Sequence, residues 1–279
     1  MLIALTRAVA PSINRCELTH MARAPIDVAL AVRQHEQYEA ALRDAGCSIA
    51  HAAPEPDLPD SVFIEDTAVV CDEVAVVTRP GAASRRPETA AVAAALQAFR
   101  RVETIEAPGT LDGGDVLVAG RTVYVGMGAR SNVEGARQLE ERLSPYGYEV
   151  RPVPVNGCLH LKSAATLVSP AAVLVNPAWV DPLVFASLDP VVVDPDEPFA
   201  ANALLLDDRI LYSPAYPRTR ALLERRGLRV VPVDLSELAK AEGALTCCSL
   251  VFKRGIGLPA PLCTASSPTW AGASLSRVP

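Results

Sequence analysis

The chain has 279 residues, half of them hydrophobic, with 21% charged residues and a formal net charge of -6 at pH 7. That composition suffices for a buried core and lacks the basic field that holds a phosphate backbone, which argues against nucleic acid as a partner. No apolar run approaches the roughly 20 residues that cross a bilayer, and the opening MLIALTRAVAPSINR lacks the basic-then-apolar layout of a signal peptide, so a cytoplasmic address is expected.

In chain order, LIALTRAVAPS reads as one strand of a pair and AVRQHEQYEAALRDAGC as an amphipathic helix. Strand pairs joined by polar turns follow: DTAVVCDEVAVVTRPG from Asp66, GDVLVAGRTVYVG from Gly114, SAATLVSPAAVLVN from Ser163 and NALLLDDRILYSP from Asn202. A fifth pair, CSLVFKRG from Cys248, is incomplete, and the N-terminal strand can supply its missing half. Further helices are predicted in ETAAVAAALQAFR, EGARQLEERLSPYG and RTRALLERRG, each ending near Gly, Pro or arginines. The landmarks recur every 40 to 50 residues or so, the size of one unit in a radial repeat, and the fivefold count predicts a closed α/β ring. The single repeat domain spans residues 1–255, and the Pro-, Ser- and Ala-rich segment 256–279 reads as a loose tail.

In a ring, residues at one phase of the repeat face one axis. Just before the first strand of its units the sequence turns polar: DSVFIEDT, TLDGGD, GCLHLKS and LTCCS carry Asp60, Glu65, Asp66, Asp112, Asp115, His160, Cys247 and Cys248. Carboxylates, an imidazole and a thiol at one channel mouth make a catalytic constellation. After the second strands, TRPGAASRRPE and GMGARSNVEG bring Arg85, Arg86 and Arg130, whose planar forks suit a carboxylate. A substrate carrying a carboxylate at one end and a cation at the other fits this set. Taken singly, each residue has a structural reading: His160 as a core histidine, DGGD as a tight turn, Asp66 as a cap, Arg85 and Arg86 as a solvated pair. The seven cysteines include no CxxC pair, and free thiols are expected.

The segments FIEDTAVV, TRPGAASRR, LDGGDVL, ARSN, LHLKSAATL and LTCCS resemble, in order and approximate spacing, those of the dimethylarginine dimethylaminohydrolases, members of the guanidino-modifying pentein superfamily. The resemblance covers about the first 255 residues. It implies a five-bladed α/β propeller, the pentein fold, with the active site at one end of the central channel. It also implies Cys247 as nucleophile, His160 as general acid/base and Asp112 as the acid facing histidine and guanidinium. Asp66 matches the carboxylate that grips the guanidinium nitrogens. Arg85 and Arg130 match the residues that hold the α-carboxylate. Asp60 and the backbone carbonyls of Leu18 and Ala241 match the α-amino contacts, while Glu65 sits in the binding motif without an assigned role.

The activity implied is hydrolysis of Nω-methylated arginine to citrulline and a methylamine through a covalent thiouronium on Cys247. No metal or organic cofactor has a part in it. The partner is then a small guanidino amino acid, and a homodimer is left open. Competing readings are a hydrolase or deiminase of free arginine or another small guanidine, an amidinotransferase, a cysteine protease, and a non-catalytic propeller that binds a large partner. The identity of the released amine separates the first of these.

Overall fold

The computed structural model describes residues 1–255; the predicted tail, 256–279, lies outside the described residues. Fifteen strands pair into five three-stranded sheets. The N-terminal strand β1 (Leu2–Thr6) pairs in parallel with β2 (Cys47–His51), and helix α1 (Val28–Asp44) crosses between them. The next sheets are β3 (Ala68–Val70), β4 (Val74–Val77) and β5 (Arg101–Thr104), then β6 (Val116–Ala119), β7 (Thr122–Met127) and β8 (Glu149–Pro154). They are followed by β9 (Ala165–Ser169), β10 (Ala172–Val175) and β11 (Asp189–Val192), and by β12 (Ala203–Leu206), β13 (Arg209–Tyr212) and β14 (Arg229–Pro232). The last strand, β15 (Leu250–Lys253), pairs antiparallel with β1, Leu2 opposite Lys253, so the N-terminus completes the fifth unit as its sequence predicts.

Every unit repeats one rule: an antiparallel hairpin, then a parallel return strand. The parallel return needs a crossover, supplied by α1, α2 (Thr89–Leu96), α3 (Val133–Leu143) and, between β13 and β14, α4 (Pro217–Arg225). The crossover from β10 to β11 is the exception. There Pro177 and Pro182 withhold backbone donors and the segment forms only a 3₁₀ turn, Pro182–Phe185. The middle strands are buried along their length, Val74–Val77 completely, which explains why they read as continuous apolar runs rather than alternating ones. Hydrophobic clusters fill the spaces between neighbouring sheets, such as Ile3, Leu5, Ile64, Ala75 and Leu96.

The first strand of each unit lines the axis. Val69, Val70, Leu117, Val118, Leu167, Leu204, Leu205 and Val251 wall one channel, and the turns leading into those strands stand at its other end. Among the described residues no helix is long and apolar enough to cross a membrane.

Candidate active site

Four short turns feed the inner strands, and each delivers one chemical group. The turn Ile64–Thr67 carries Asp66, Gly113–Asp115 follows Asp112, His160 caps the helical turn Leu161–Ala164, and Thr246–Cys248 holds Cys247. Asp66, Arg85, Arg130, His160, Ala241 and Cys247 line a common cavity with Asp60 and Glu242. The repeat phase therefore brings together residues up to 187 positions apart, from Asp60 to Cys247.

His160 and its carboxylates are interlocked. The imidazole Nε2 lies 3.0 Å from Asp112 Oδ2, and Nδ1 lies 3.8 Å from Asp66 Oδ1. Asp112 Oδ1 accepts from the Gly81 amide at 2.8 Å, while the Asp112 amide donates to Ser131 Oγ. Asp66 accepts from the Gly114 amide at 2.9 Å and from Arg85 Nη1 at 2.5 Å. Burial alone would push the His160 pKa down, but the Asp66 charge and the Asp112 hydrogen bond outweigh it and hold the imidazolium up to about 9. Burial likewise raises Asp66, yet His160 and Arg85 win and its carboxyl titrates at about 2. Asp115, behind this pair, accepts from Ser131 Oγ and the Leu161 amide; with weaker compensation, burial lifts it to about 6.

Gly114 is dictated by this packing. A Cβ there would stand 2.7 Å from both Asp66 Oδ1 and His160 Nδ1, so the DGGD turn is the floor against which Asp66 and His160 rest. A Cβ at Gly81 would likewise strike the Arg130 backbone.

The loop that carries Cys247 is held from beneath. Tyr38 Oη donates to the Leu245 carbonyl at 2.9 Å, and Asn202 Oδ1 accepts from the Thr246 amide at 3.2 Å. Cys247 is partly exposed to the cavity, whereas Cys248 is fully buried and turned toward the Ala244 carbonyl. Burial, together with the Glu65 and Asp66 charges, pushes the Cys247 thiol up to about 12; burial also holds Cys248 well above the ordinary thiol value. The cavity environment thus favours the protonated thiol of Cys247 and the charged imidazole of His160, both of which line it.

The arginines divide. Arg85 is buried, and its fork is engaged by Glu88, Asp66 and the carbonyls of Asp60 and Phe63. Glu88 and Asp66 hold its pKa well above the ordinary arginine value despite burial. Arg130 is half-exposed and donates to Thr19 Oγ1 at 2.9 Å. Arg86 instead donates to the Pro80 carbonyl and does not line the cavity. Asp60 accepts from the Glu17 amide through both oxygens, next to Leu18.

Glu65 points the other way. Its carboxylate meets Lys162 Nζ at 2.6 Å and Thr246 Oγ1 at 2.7 Å, on the side of the axial channel rather than of the Cys247 cavity. Sequence reasoning missed Lys162, Thr246, Asn202, Glu88 and Glu242. Lys162 and Thr246 stand inside the LHLKS and LTCCS segments, Glu88 ends TRPGAASRRPE and Asn202 immediately precedes a first strand, so only Glu242 lacked any signal of phase.

Ligand atoms of Asp66, Asp112 and His160 lie within 4.8 Å of one another, close enough for a shared cation. Imidazole binds metals only when deprotonated, however, and a histidine held to about 9 is an ion-pair partner at neutral pH.

Comparison with known proteins shows the family of the chain. The pattern described as N,N dimethylarginine dimethylhydrolase, eukaryotic, matches residues 8–178. A dimethylarginine dimethylaminohydrolase of Streptomyces coelicolor is 42% identical over 249 residues, which is 88% of this chain and 95% of that one. The chain belongs to the dimethylarginine dimethylaminohydrolase family. The enzyme of that name from Pseudomonas aeruginosa is 37% identical over 228 residues, covering 81% of this chain and 90% of its own. A solved structure of the Pseudomonas protein, a cysteine-to-serine variant complexed with citrulline, superposes with a TM-score of 0.84 at 34% identity over 89% of this chain and 98% of that one. The pentein fold implied by the sequence is therefore the fold observed.

Proposed function

We propose that the protein hydrolyses Nω-methylated arginine, dimethylarginine or monomethylarginine, to citrulline and a methylamine, with Cys247 as nucleophile. The observation that carries this reading is that one cavity brings Cys247 together with His160, whose imidazole lies between the carboxylates of Asp112 and Asp66.

A guanidinium carbon is electrophilic only while the group stays cationic, so its pocket needs carboxylates. Asp66 and Asp112 retain acceptor capacity beyond their present partners and can fix the guanidinium plane, aiming its carbon at Sγ. The arriving cation also offsets the Glu65 and Asp66 charges that keep the thiol protonated, and the thiol proton is lost to solvent as substrate binds. The thiolate then forms the S–C bond. His160, already protonated, gives its proton to the departing amine as the C–N bond breaks. Neutral His160 next takes a proton from water, and the hydroxide displaces Sγ from the thiouronium to leave citrulline. Little negative charge develops on the adduct, so carboxylates serve where an acyl-transfer enzyme would need an oxyanion hole.

At the far end of the substrate, Arg130 would hold the α-carboxylate, while Asp60 with the carbonyls of Leu18 and Ala241 would receive the α-amine; Arg85, expected to share the carboxylate, already has its fork taken up by Glu88, Asp66 and two carbonyls and would instead brace Asp66. Burial raises the Asp60 pKa, a cost that an ammonium partner removes. A cytoplasmic setting belongs to the same proposal, since the six cysteines among the described residues are free, as thiols in a reducing compartment are. The test is product analysis: incubation with dimethylarginine should release dimethylamine and citrulline. Ammonia from arginine, with no dimethylamine, would assign the deiminase reading instead.

A further inference from the structure

Asp115 takes no part in the bond-making and bond-breaking and does not line the cavity, yet it is completely buried behind His160 and Asp112. Its two oxygens reach different segments. Oδ1 accepts from the Leu161 amide at 3.0 Å, on the turn that His160 caps, and Oδ2 accepts from Ser131 Oγ at 2.6 Å, in the segment after β7. Ser131 Oγ in turn accepts from the Asp112 amide at 3.1 Å. Because Asp112 Oδ2 meets His160 Nε2 at 3.0 Å, the contacts close on themselves. They run from Asp115 to Ser131, from Ser131 to Asp112, from Asp112 to His160, and through the His160–Leu161 peptide back to Asp115.

The circuit requires a carboxylate at this position. Both partners present hydrogen, an amide N–H and a hydroxyl O–H, so the side chain must offer two acceptors and no donor. The Ser131 hydroxyl has a single proton; giving it to Asp115 leaves its lone pairs for the Asp112 amide, and a donor in place of Oδ2 would strand that proton. The space is made to measure as well. A Cβ on Gly126, in β7, would stand 2.8 Å from Asp115 Oδ1, so glycine there leaves the room in which the carboxylate lies. Both hydrogen-bond partners are neutral, and although the His160 charge acts in its favour, burial wins and lifts the Asp115 pKa to about 6. A carboxylate retained at such a cost is explained by what it holds.

We propose that Asp115 is a positioning residue: by anchoring the His160 turn and the Asp112 backbone together, it sets the distance and angle at which imidazole and carboxylate meet, and with them the line along which His160 delivers its proton to the departing amine. His160 and Asp112 enter from neighbouring units of the ring, and Asp115 is a side chain that spans the two. The proposal rests on the functional reading above for the reaction that this geometry serves, and on the hydrogen bonds alone for the geometry.

Three variants of the full chain test this, Asp115→Asn, Ser131→Ala and the two combined, each first checked by denaturant unfolding for a folded state under the assay conditions. A misplacement near 1 Å costs about a hundredfold in rate, so Asp115→Asn should lower kcat for dimethylarginine about a hundredfold with KM within a few-fold of wild type. Ser131→Ala should lower kcat about tenfold, and the double variant should be no slower than Asp115→Asn, because both substitutions open one circuit. The His160 ring, followed by proton NMR and assigned with a His160→Gln variant, should titrate near 9 in wild type and at clearly lower pH in Ser131→Ala. That substitution changes no charge, so the shift reports position rather than field. An unmoved His160 titration in folded Ser131→Ala overturns the proposal, as do wild-type kcat values in both single variants or losses that multiply in the double variant. Should Asp115→Asn fail to fold, kcat and the His160 titration of Ser131→Ala decide alone. If the wild-type protein releases no methylamine, the functional reading fails, and the His160 titrations still decide whether the circuit positions the imidazole.

Discussion

Glu65 and Asp66 are neighbours in sequence and both buried, yet they belong to opposite sides of one layer. Asp66 faces the Cys247 cavity, where His160 and Arg85 surround it and bring its pKa to about 2. Glu65 faces the axial channel, where Lys162 compensates its burial only in part and its pKa stays raised. One side is a set of charges ready to receive a cation; the other is a closed account of ion pair and hydrogen bonds, Lys162 to Glu65 and Gly113, Thr246 to Glu65, Asn202 to Thr246. Position along the strand decides the function of a carboxylate here, because successive residues of the entering turn face opposite ends of the axis.

The largest effect that could break this contrast is expected at the thiols. Cys247→Ser should lower turnover of dimethylarginine by at least about a thousandfold, whereas Cys248→Ser, on the buried side, should stay within a few-fold of wild type. Comparable losses in the two variants would dissolve the distinction. On the opposite side the effect should be structural. Lys162→Met leaves Glu65 charged, buried and unpaired, which should cost about 3–5 kcal/mol in denaturant unfolding. Adding Glu65→Gln should recover much of that loss.

Gly114→Ala sharpens the comparison, because the atoms nearest its Cβ would belong to Asp66 and His160. A displacement near 1 Å in this pair should reduce kcat/KM about a hundredfold with the unfolding midpoint far less affected than by Lys162→Met. The smallest effect is a shift in pH profile. His160 must carry a proton to release the amine, so kcat should fall as pH rises through about 9. Asp112→Asn removes a hydrogen bond that holds this proton, and the alkaline limb of whatever activity remains should move to lower pH. Stability follows the same sign: the contribution of the raised His160 pKa is fully present below pH 6.5 or so and is lost as pH rises through about 9.

The ring was legible because five hairpins repeat one apolar pattern, and the site because polar exceptions such as His160 and Asp112 fall at one phase of that pattern. What sequence could not give was direction. Nothing in EDT tells Glu65 from Asp66 until the turn is built, and Arg85 reads as an open fork although Glu88, three residues on, already occupies it. Glu242 was hidden for another reason: its partners are backbone amides of Thr19, His20 and Met21, which leave no trace in residue type.

The central claim is that the Cys247 thiol is neutral in the resting site and ionises when a guanidinium cation arrives. An ultraviolet thiolate titration, taken as the difference between wild type and Cys247→Ser, measures it directly. With no ligand the Cys247 absorbance should rise only toward pH 12 or so, and with a slowly reacting guanidino amino acid bound it should appear at clearly lower pH. Identical titrations with and without the ligand would contradict the account.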